Sequence, residues 1–325
     1  MMNKQKNNGK IVHEPVLLEE VCEAFDLIAP LNNQVEEKTK PVVVDATLGG
    51  GGHAMEFIKR GAYVLGIDAD EKMVRIAGEN LQQFVESKFA CPTDNYHKYF
   101  EIVHANFRDI DEIAGDQNIE KVDAVLFDLG ISSYHYQFSE KGFSFKDPKS
   151  ALDMRMSEAQ KVTAADLLNA LSKDQLTNLF SETLPFFQAQ KLSRMVISFR
   201  QEKAIVTTGD FSDIINSAFG KNRKFNSKRK ISLPTLPYLA LRMAVNFELD
   251  NLRTALPKAW KLLKTNGTLA VISFHSGEDR IVKEIFGNWL KNGEGAIYKK
   301  LTVPSSDEIS KNPRSRSSKL RIIKK

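Results

Sequence analysis

The sequence of 325 residues contains only two cysteines, Cys22 and Cys91. Two distant cysteines cannot form a disulfide framework, and without a Cys-x-x-Cys pair the chain has no thiolate zinc site. The chain also has no run of about 18 apolar residues, the length that a membrane-spanning helix needs. Its first residues, MMNKQKNNGK, are polar and do not predict a signal peptide. We therefore expect a cytoplasmic protein with reduced cysteines, no membrane segment and no bound metal.

Acidic residues are missing from two short segments that are rich in lysine and arginine. Residues 221–230 contain six basic residues and residues 311–325 contain seven, and neither segment has an acidic residue. The other 300 residues hold 33 basic and 41 acidic side chains, a net charge of −8. Segregated positive charge favours contact with phosphate groups, since solubility alone does not require it. Solvated basic segments have the same composition, so charge alone leaves both interpretations open.

Strand-like and helix-like patterns alternate along the chain except between residues 136 and 237, where only helical patterns occur. This alternation predicts a doubly wound α/β sheet of the Rossmann-like kind, built from residues 1–135 and 238–325, with residues 136–237 as an inserted helical domain. The predicted strands cover residues 41–46, 62–68, 100–104, 122–128, 267–274, 297–303 and 320–323. The main predicted helices of the sheet domain cover residues 13–28, 53–60, 71–84, 238–256 and 278–290.

Four consecutive glycines, Gly49 to Gly52, separate the first predicted strand from a helix that starts at His53. Consecutive glycines are costly in backbone entropy and add no side-chain packing. Such a turn makes sense where a ligand must approach the main chain closely. In a parallel sheet that ligand is usually a nucleotide at the carboxyl end of the first strand.

Three aspartates end predicted strands: Asp45, Asp68 and Asp128. The carboxyl ends of parallel strands meet at one edge of the sheet, and an acid after the second strand can bind ribose hydroxyls. The glycine turn also satisfies a dinucleotide fingerprint, so an NAD-dependent dehydrogenase stays possible. The three acids fit S-adenosylmethionine better, because that ligand carries no pyrophosphate.

Longer strings along the chain are typical of one family. They are HEPVLL (residues 13–18), DATLGGGGH (45–53), DLGISS (128–133), GFSF (142–145), LDMRM (152–156), ALRMAVN (240–246), ISFHS (272–276) and NPRSRS (312–317). The strings run in this order through the chain. In them the chain resembles the MraW-like ribosomal RNA small subunit methyltransferase H family.

The resemblance implies an enzyme that transfers a methyl group from S-adenosylmethionine to the N4 amine of a cytidine in the decoding region of small-subunit rRNA. The implied fold is a class I methyltransferase with an inserted helical domain for RNA or substrate recognition. The implied partner is the rRNA or the assembled small subunit, and the sequence leaves monomer or homodimer open. Carried over by position, the cofactor residues are Gly51, Gly52, His53, Asp68, Phe107, Asp128 and His135.

An exocyclic amine of cytosine is a poor nucleophile because its lone pair is delocalised into the ring. The enzyme must align the amine and accept hydrogen bonds from it as charge develops. We expect Asp128, or a carbonyl within Leu129–Gly130, to be that acceptor, with His275 as a weaker catalytic candidate. The residues expected to bind RNA phosphates are Arg314, Arg316, Lys319 and Arg321.

The chain departs from the family pattern at four places. His135 replaces a glutamine, residues 184–186 replace a Gly-Glu-Glu string, residues 233–236 replace a Pro-Ala-Thr-Arg string, and Gly277 replaces a leucine. The second and third changes leave the details of substrate contact open. Besides the dehydrogenase, a ribosome-assembly factor that binds RNA without catalysis is an alternative, and the intact glycine turn and Asp68 argue against it.

Overall fold

The computed structural model describes residues 15–27, 40–90, 93–131, 140–220 and 234–325. Contacts divide the chain into two compact units, Met1–Ser132 with Asn251–Lys325, and Ser133–Asp250. The helical domain that was predicted for residues 136–237 lies inside the second of these units. Three features singled out in the sequence, namely His135, Cys91 and the basic segment at residues 221–230, lie outside the described residues.

The first unit contains a sheet of seven strands in the order β3-β2-β1-β4-β5-β7-β6. Strands β1 to β5 are parallel, and β7 runs antiparallel to both β5 and β6. The strands are β1 (Val42–Asp45), β2 (Tyr63–Asp68), β3 (Phe100–His104), β4 (Val122–Asp128), β5 (Leu263–Ser273), β6 (Ala296–Thr302) and β7 (Lys319–Lys324). This topology confirms the predicted doubly wound α/β sheet.

Helices in the described part of the chain are numbered here in chain order. They are α1 (Leu18–Ala24), α2 (Gly52–Lys59), α3 (Glu71–Phe89), α4 (Ile110–Asp116), α5 (Ala164–Ala170), α6 (Lys173–Ser181), α7 (Phe186–Glu202), α8 (Thr208–Phe219), α9 (Thr235–Val245), α10 (Glu248–Leu262), α11 (Ser276–Lys291) and α12 (Ser306–Lys311). In that part of the chain, no helix has the length and apolar character needed to cross a membrane.

Strands β1, β2 and β4 form because their apolar runs are covered on both faces. Val43, Val44, Val64, Leu65 and Val125 are fully buried. A parallel sheet buried on both faces is typically built from such continuous apolar runs. The runs therefore place the strand ends, and the polar residues that follow them, at one defined edge.

The three strand-end aspartates are neighbours at this edge. Asp45 pairs in register with Gly66 of β2 and with Leu126 of β4, so that the ends of all three strands lie side by side. The edge that was expected to bind a ligand thus carries Asp45, Asp68 and Asp128 together. Gly66 has no room for a side chain, because a Cβ there would lie 2.8 Å from the Leu48 side chain.

The second unit consists, in its described residues, of helices α5 to α9, the first turn of α10, and one isolated bridge between Ala151 and Thr207. Two of the family strings meet in it. The Asn246 side chain accepts a hydrogen bond from the Met156 amide (2.9 Å) and donates one to the Met154 carbonyl (2.8 Å). Residues of both strings therefore have a structural role, because their contact holds the loop before α5 against the end of α9.

The long helix predicted for residues 238–256 is wrong: α9 ends at Val245 and α10 begins at Glu248. Phe247 has a φ of 51°, a left-handed conformation that interrupts a helix. Pro257, which was expected to interrupt or restart the helix, lies inside α10. The break thus comes at an asparagine with long-range hydrogen bonds, eleven residues before the proline.

Candidate functional site

The glycine turn after β1 adopts backbone conformations that favour glycine. Gly49 has a φ of 52° and Gly51 a φ of 83°, and Gly51 precedes the first residue of α2. A Cβ on Gly51 would lie 3.3 Å from Leu81 Cγ of α3. The backbone is thus left-handed at Gly49 and Gly51, and Gly51 also packs closely against α3. These constraints account for at least two of the four glycines.

Asp68 at the end of β2 holds this turn in place. Its Oδ2 accepts a hydrogen bond from the Gly49 amide (2.8 Å), and its Oδ1 accepts one from the Asp70 amide (2.9 Å). Asn80 of α3 adds a third contact by donating to the Gly50 carbonyl (3.0 Å). Asp68 therefore shapes the glycine turn, and its predicted contact with a ribose stays a prediction.

His53 is in the first turn of α2 and is buried, with 6% of its surface exposed. Its Nε2 lies 3.0 Å from the Val16 carbonyl oxygen, which can only accept, so Nε2 carries the hydrogen. Its Nδ1 then faces Asp128, 3.8 Å from Oδ2. The ring is held in one orientation by the segment just before α1, and its other nitrogen is directed at the end of β4.

Asp45 and Asp128 are neighbouring carboxyl groups: Asp45 is buried, and Asp128 has 14% of its side chain exposed. Burial raises the pKa of Asp45 to about 7, the Thr47 amide opposes that shift, and the charge of Asp68 adds to it. Burial likewise raises the pKa of Asp128 to about 8, mainly with help from the negative charge of Asp45. Burial and mutual repulsion both favour the protonated forms, so this pair holds protons near neutral pH.

Thr47 connects the Asp45 carboxyl group to the main chain of Asp128 and was missed in the sequence. Its hydroxyl oxygen accepts a hydrogen bond from the Asp128 amide (2.6 Å), and its own amide donates to Asp45 Oδ1 (3.3 Å). The glycine turn is thereby joined to the end of β4. A hydroxyl residue directly after a strand-end aspartate was the available signal, but its partner lies 81 residues away.

Phe107 lies in a short 3₁₀ helix, Phe107–Asp109, that follows β3. Its ring is half-buried and meets the ring of Phe127 edge to face, with centroids 5.5 Å apart. One part of the ring therefore packs on the core while the rest stays accessible near the same edge of the sheet. That position agrees with the predicted adenine contact, which stays a prediction.

Gly130, two residues after β4, is held against Phe274, which follows β5. A Cβ on Gly130 would lie 2.8 Å from Cε2 of that ring. The loop after β4 therefore approaches an aromatic side chain as closely as glycine allows. Phe274 was not identified from the sequence, because no local pattern around it indicates the contact with Gly130.

His275 caps helix α11. Its Nδ1 accepts a hydrogen bond from the Glu278 amide (3.4 Å), and its Nε2 lies 3.0 Å from Glu278 Oε1. Glu278 in turn accepts from the amides of Phe274 (2.7 Å) and His275 (3.2 Å) through Oε2. This capping box gives His275 a structural task, and its predicted catalytic role is still untested.

The four basic residues predicted to bind RNA have different surroundings. Lys319 and Arg321 of β7 both donate to the Asp279 carboxylate, each at 2.8 Å. Arg314 and Arg316 belong to a 3₁₀ helix, Pro313–Ser317, and are exposed. The structure thus shows two exposed arginines on one 3₁₀ helix and two cations that share one acidic partner.

The chain matches the model of the MraW methylase family over residues 10–325. It is 37% identical over 318 residues to a ribosomal RNA small subunit methyltransferase H from Coprothermobacter proteolyticus, covering 97% of this chain and 96% of that protein. A protein of the same name from Bacteroides fragilis is 36% identical over 338 residues, covering 98% and 99%. Among solved structures, an rRNA methylase from Streptococcus thermophilus aligns with a TM-score of 0.42 and 11% identity, covering 97% and 99%.

Proposed function

The chain belongs to the MraW methylase family, and we propose that it transfers a methyl group from S-adenosylmethionine to the N4 amine of a cytidine in the decoding region of small-subunit rRNA. The observation that carries the proposal is one sheet edge where a glycine turn clamped by Asp68 lies beside the buried Asp45 and His53 and the largely buried Asp128. The full-length similarity to proteins named as small-subunit rRNA methyltransferases supports the substrate.

The described residues fit the proposed methyl donor. The turn at Gly49–Gly52 leaves its main chain free of side chains, and Asp68 stands at the end of the adjacent strand, where ribose hydroxyls are bound in this kind of fold. Phe107 offers part of an aromatic ring for an adenine. When bound, S-adenosylmethionine supplies an electrophilic methyl group on a sulfonium. The residues proposed to hold it are Gly51, Gly52, His53, Asp68, Phe107 and Asp128, with His135 outside the described residues.

Asp128 is the proposed proton acceptor. As the cytidine nitrogen bonds to the methyl carbon, positive charge builds on that nitrogen, and an acceptor beside it stabilises the charge and takes the proton. To take that proton Asp128 must be ionised; burial raises its pKa to about 8, and a positive charge beside it, such as that of a sulfonium, would favour the ionised form. The carbonyls of Leu129–Gly130 are the alternative acceptors, and His275 is less suited because Glu278 engages its ring.

Arg314 and Arg316 are the proposed phosphate contacts among the described basic residues, because they are exposed on one short 3₁₀ helix. Lys319 and Arg321 would contribute less, since both share the negative charge of Asp279. The proposal retains a cytoplasmic protein that acts on naked rRNA or on the assembled small subunit.

The test is to incubate undermethylated small ribosomal subunits, and separately naked rRNA, with the protein and labelled S-adenosylmethionine, and then to analyse the nucleosides. We expect labelled N4-methylcytidine with at least one of the two substrates. Its absence from both would overturn the proposal, and RNA binding without any turnover would favour the assembly-factor alternative. Binding of nicotinamide cofactors in preference to S-adenosylmethionine would favour a dehydrogenase.

Asp68→Ala isolates the cofactor site. Calorimetry should show weaker binding of S-adenosylmethionine, because both the ribose acceptor and the clamp on Gly49 are lost. Glu71→Ala is the matched control, since that exposed acid lies three residues further along the chain. Unchanged affinity of the Asp68 variant would show that the ribose assignment is wrong.

A further inference from the structure

Helix α7 of the second unit begins with two exposed aromatic residues. Phe186 and Phe187 follow Pro185 and are 63% and 68% exposed, the highest values among the large apolar side chains described as exposed. Single exposed apolar residues are common on protein surfaces, but two adjacent phenylalanines at a helix start form a patch. Packing inside the unit does not account for them, because its core is formed by other residues of the helix, such as Leu192 and Val196.

Basic residues continue the same face of the helix. Lys191 and Arg194 come four and seven residues after Phe187, the spacing that places side chains on one stripe of a helix. Both are exposed, and Arg194 donates to the Gln190 side chain (3.2 Å). The helix has no acidic residue before Glu202. We name Phe187, Lys191 and Arg194, together with the adjacent exposed Phe186, the α7 stripe.

The chemistry of the α7 stripe fits single-stranded nucleic acid. An unpaired base presents a π-face that stacks on aromatic rings, and its phosphates are attracted by nearby cations. An apolar protein surface would be matched by the rings but would leave Lys191 and Arg194 without counter-charges. RNA supplies both the π-face and the negative charge.

We propose that the α7 stripe binds an unpaired segment of the rRNA substrate, with a base stacked on Phe186 or Phe187 and phosphates at Lys191 and Arg194. The inference rests on the proposed function, because it takes small-subunit rRNA as the substrate. It adds a recognition contact on the inserted unit that is separate in sequence from the basic carboxyl-terminal segment.

Substitutions of Phe187 in the full chain separate stacking from simple burial. Phe187→Ala should weaken binding to naked small-subunit rRNA about ten-fold, the loss expected for one base–aromatic stack of about 1–3 kcal/mol. Phe187→Tyr keeps the ring and should restore affinity, whereas Phe187→Leu keeps apolar volume without a π-face and should not. Val162→Ala, at another exposed apolar residue of the same unit, is the control.

The charged residues are tested by salt dependence. The double variant Lys191→Gln with Arg194→Gln should lower the slope of log affinity against log salt by about one to one and a half, the value for two contacts to single-stranded phosphates. Lys173→Gln on α6 is the matched exposed control and should leave the slope unchanged. Cofactor affinity should be the same in all variants, since none touches the glycine turn.

The outcomes for this proposal and for the proposed function can be told apart. If the wild-type protein forms N4-methylcytidine and the α7 variants bind rRNA with unchanged affinity and slope, the inference is overturned while the function stands. If the variants lose affinity for the assembled subunit but not for naked rRNA, the stripe binds a ribosomal protein and the inference is also overturned. If the variants lose rRNA affinity although the wild type makes no N4-methylcytidine, the stripe is an RNA contact and the proposed reaction is wrong.

Discussion

Replacing Thr47 with valine should loosen the connection between the glycine turn and the end of β4. The hydroxyl oxygen of Thr47 is the acceptor for the Asp128 amide at 2.6 Å, and valine has nearly the same shape without that oxygen. The Asp128 amide would then be left without its partner in a part-buried position. The change thus removes one hydrogen bond and almost no volume.

The expected cost follows from this geometry. Leaving a buried donor unsatisfied costs about 1–3 kcal/mol, so the free energy of unfolding should fall by about that amount. Because the same bond fixes the residue that is proposed to accept the proton, methyl transfer should suffer as well. A loss of about 1–3 kcal/mol of transition-state stabilisation lowers kcat/KM roughly 5- to 150-fold.

Thermal unfolding and methyl-transfer kinetics on small subunits measure both effects. Thr47→Ser keeps the hydroxyl and should retain most of the stability and activity. Thr302→Val is the control for the loss of a threonine hydroxyl elsewhere, since that hydroxyl meets only the Lys300 carbonyl at 3.4 Å. If Thr47→Val has the same unfolding midpoint and the same kcat/KM as the wild type, the hydrogen bond does not hold Asp128 in place.

Three further predictions concern protonation, thiol reactivity and packing. Folding raises the pKa of Asp128 from 3.8 to about 8, so the folded protein keeps a proton that the unfolded chain has released. Stability should therefore fall as the pH rises across that window, and Asp128→Asn should flatten the fall in unfolding midpoints measured from pH 5 to 9. Burial raises the pKa of the Cys22 thiol to about 12. In a Cys91→Ser background, iodoacetamide should therefore label the folded protein at pH 8 far more slowly than the denatured chain. Equal labelling rates would contradict the burial of Cys22. Gly130→Ala should cost about 1–3 kcal/mol by overpacking against Phe274, and an unchanged midpoint of unfolding would show that the loop yields without cost.

Strands β1, β2, β3 and β4 were predictable because their signal is local. β1, β2 and β4 are apolar runs with an acidic end, and burial on both faces leaves such runs uninterrupted in the sequence, whereas β3 is an edge strand that contains Glu101. β3 and β4 have the predicted limits, Phe100–His104 and Val122–Asp128. Once the strands are known to be parallel, the meeting of Asp45, Asp68 and Asp128 at one edge follows from geometry alone.

The break between α9 and α10 was not predictable, because its cause is distant in the sequence. The apolar periodicity runs on past Asn246, and local propensity gives no reason to stop. The Asn246 side chain is held by Met154 and Met156, about 90 residues earlier, and Phe247 then takes a left-handed conformation. Tertiary hydrogen bonds thus override a helical pattern that is locally consistent.

Charge patterning identified the basic carboxyl-terminal segment but could not tell which of its cations are available to a ligand. Asp279 lies 40 residues before Lys319 and shares its single negative charge between Lys319 and Arg321, so these two cations would release fewer counterions on binding RNA than their number suggests. The salt dependence of RNA binding should therefore reflect the exposed Arg316 more than Lys319 and Arg321. The same reasoning gives weight to Lys191 and Arg194 of the α7 stripe, since their helix carries no acidic residue beside them. A cation counts toward phosphate binding only where the folded chain has not already matched it with a carboxylate.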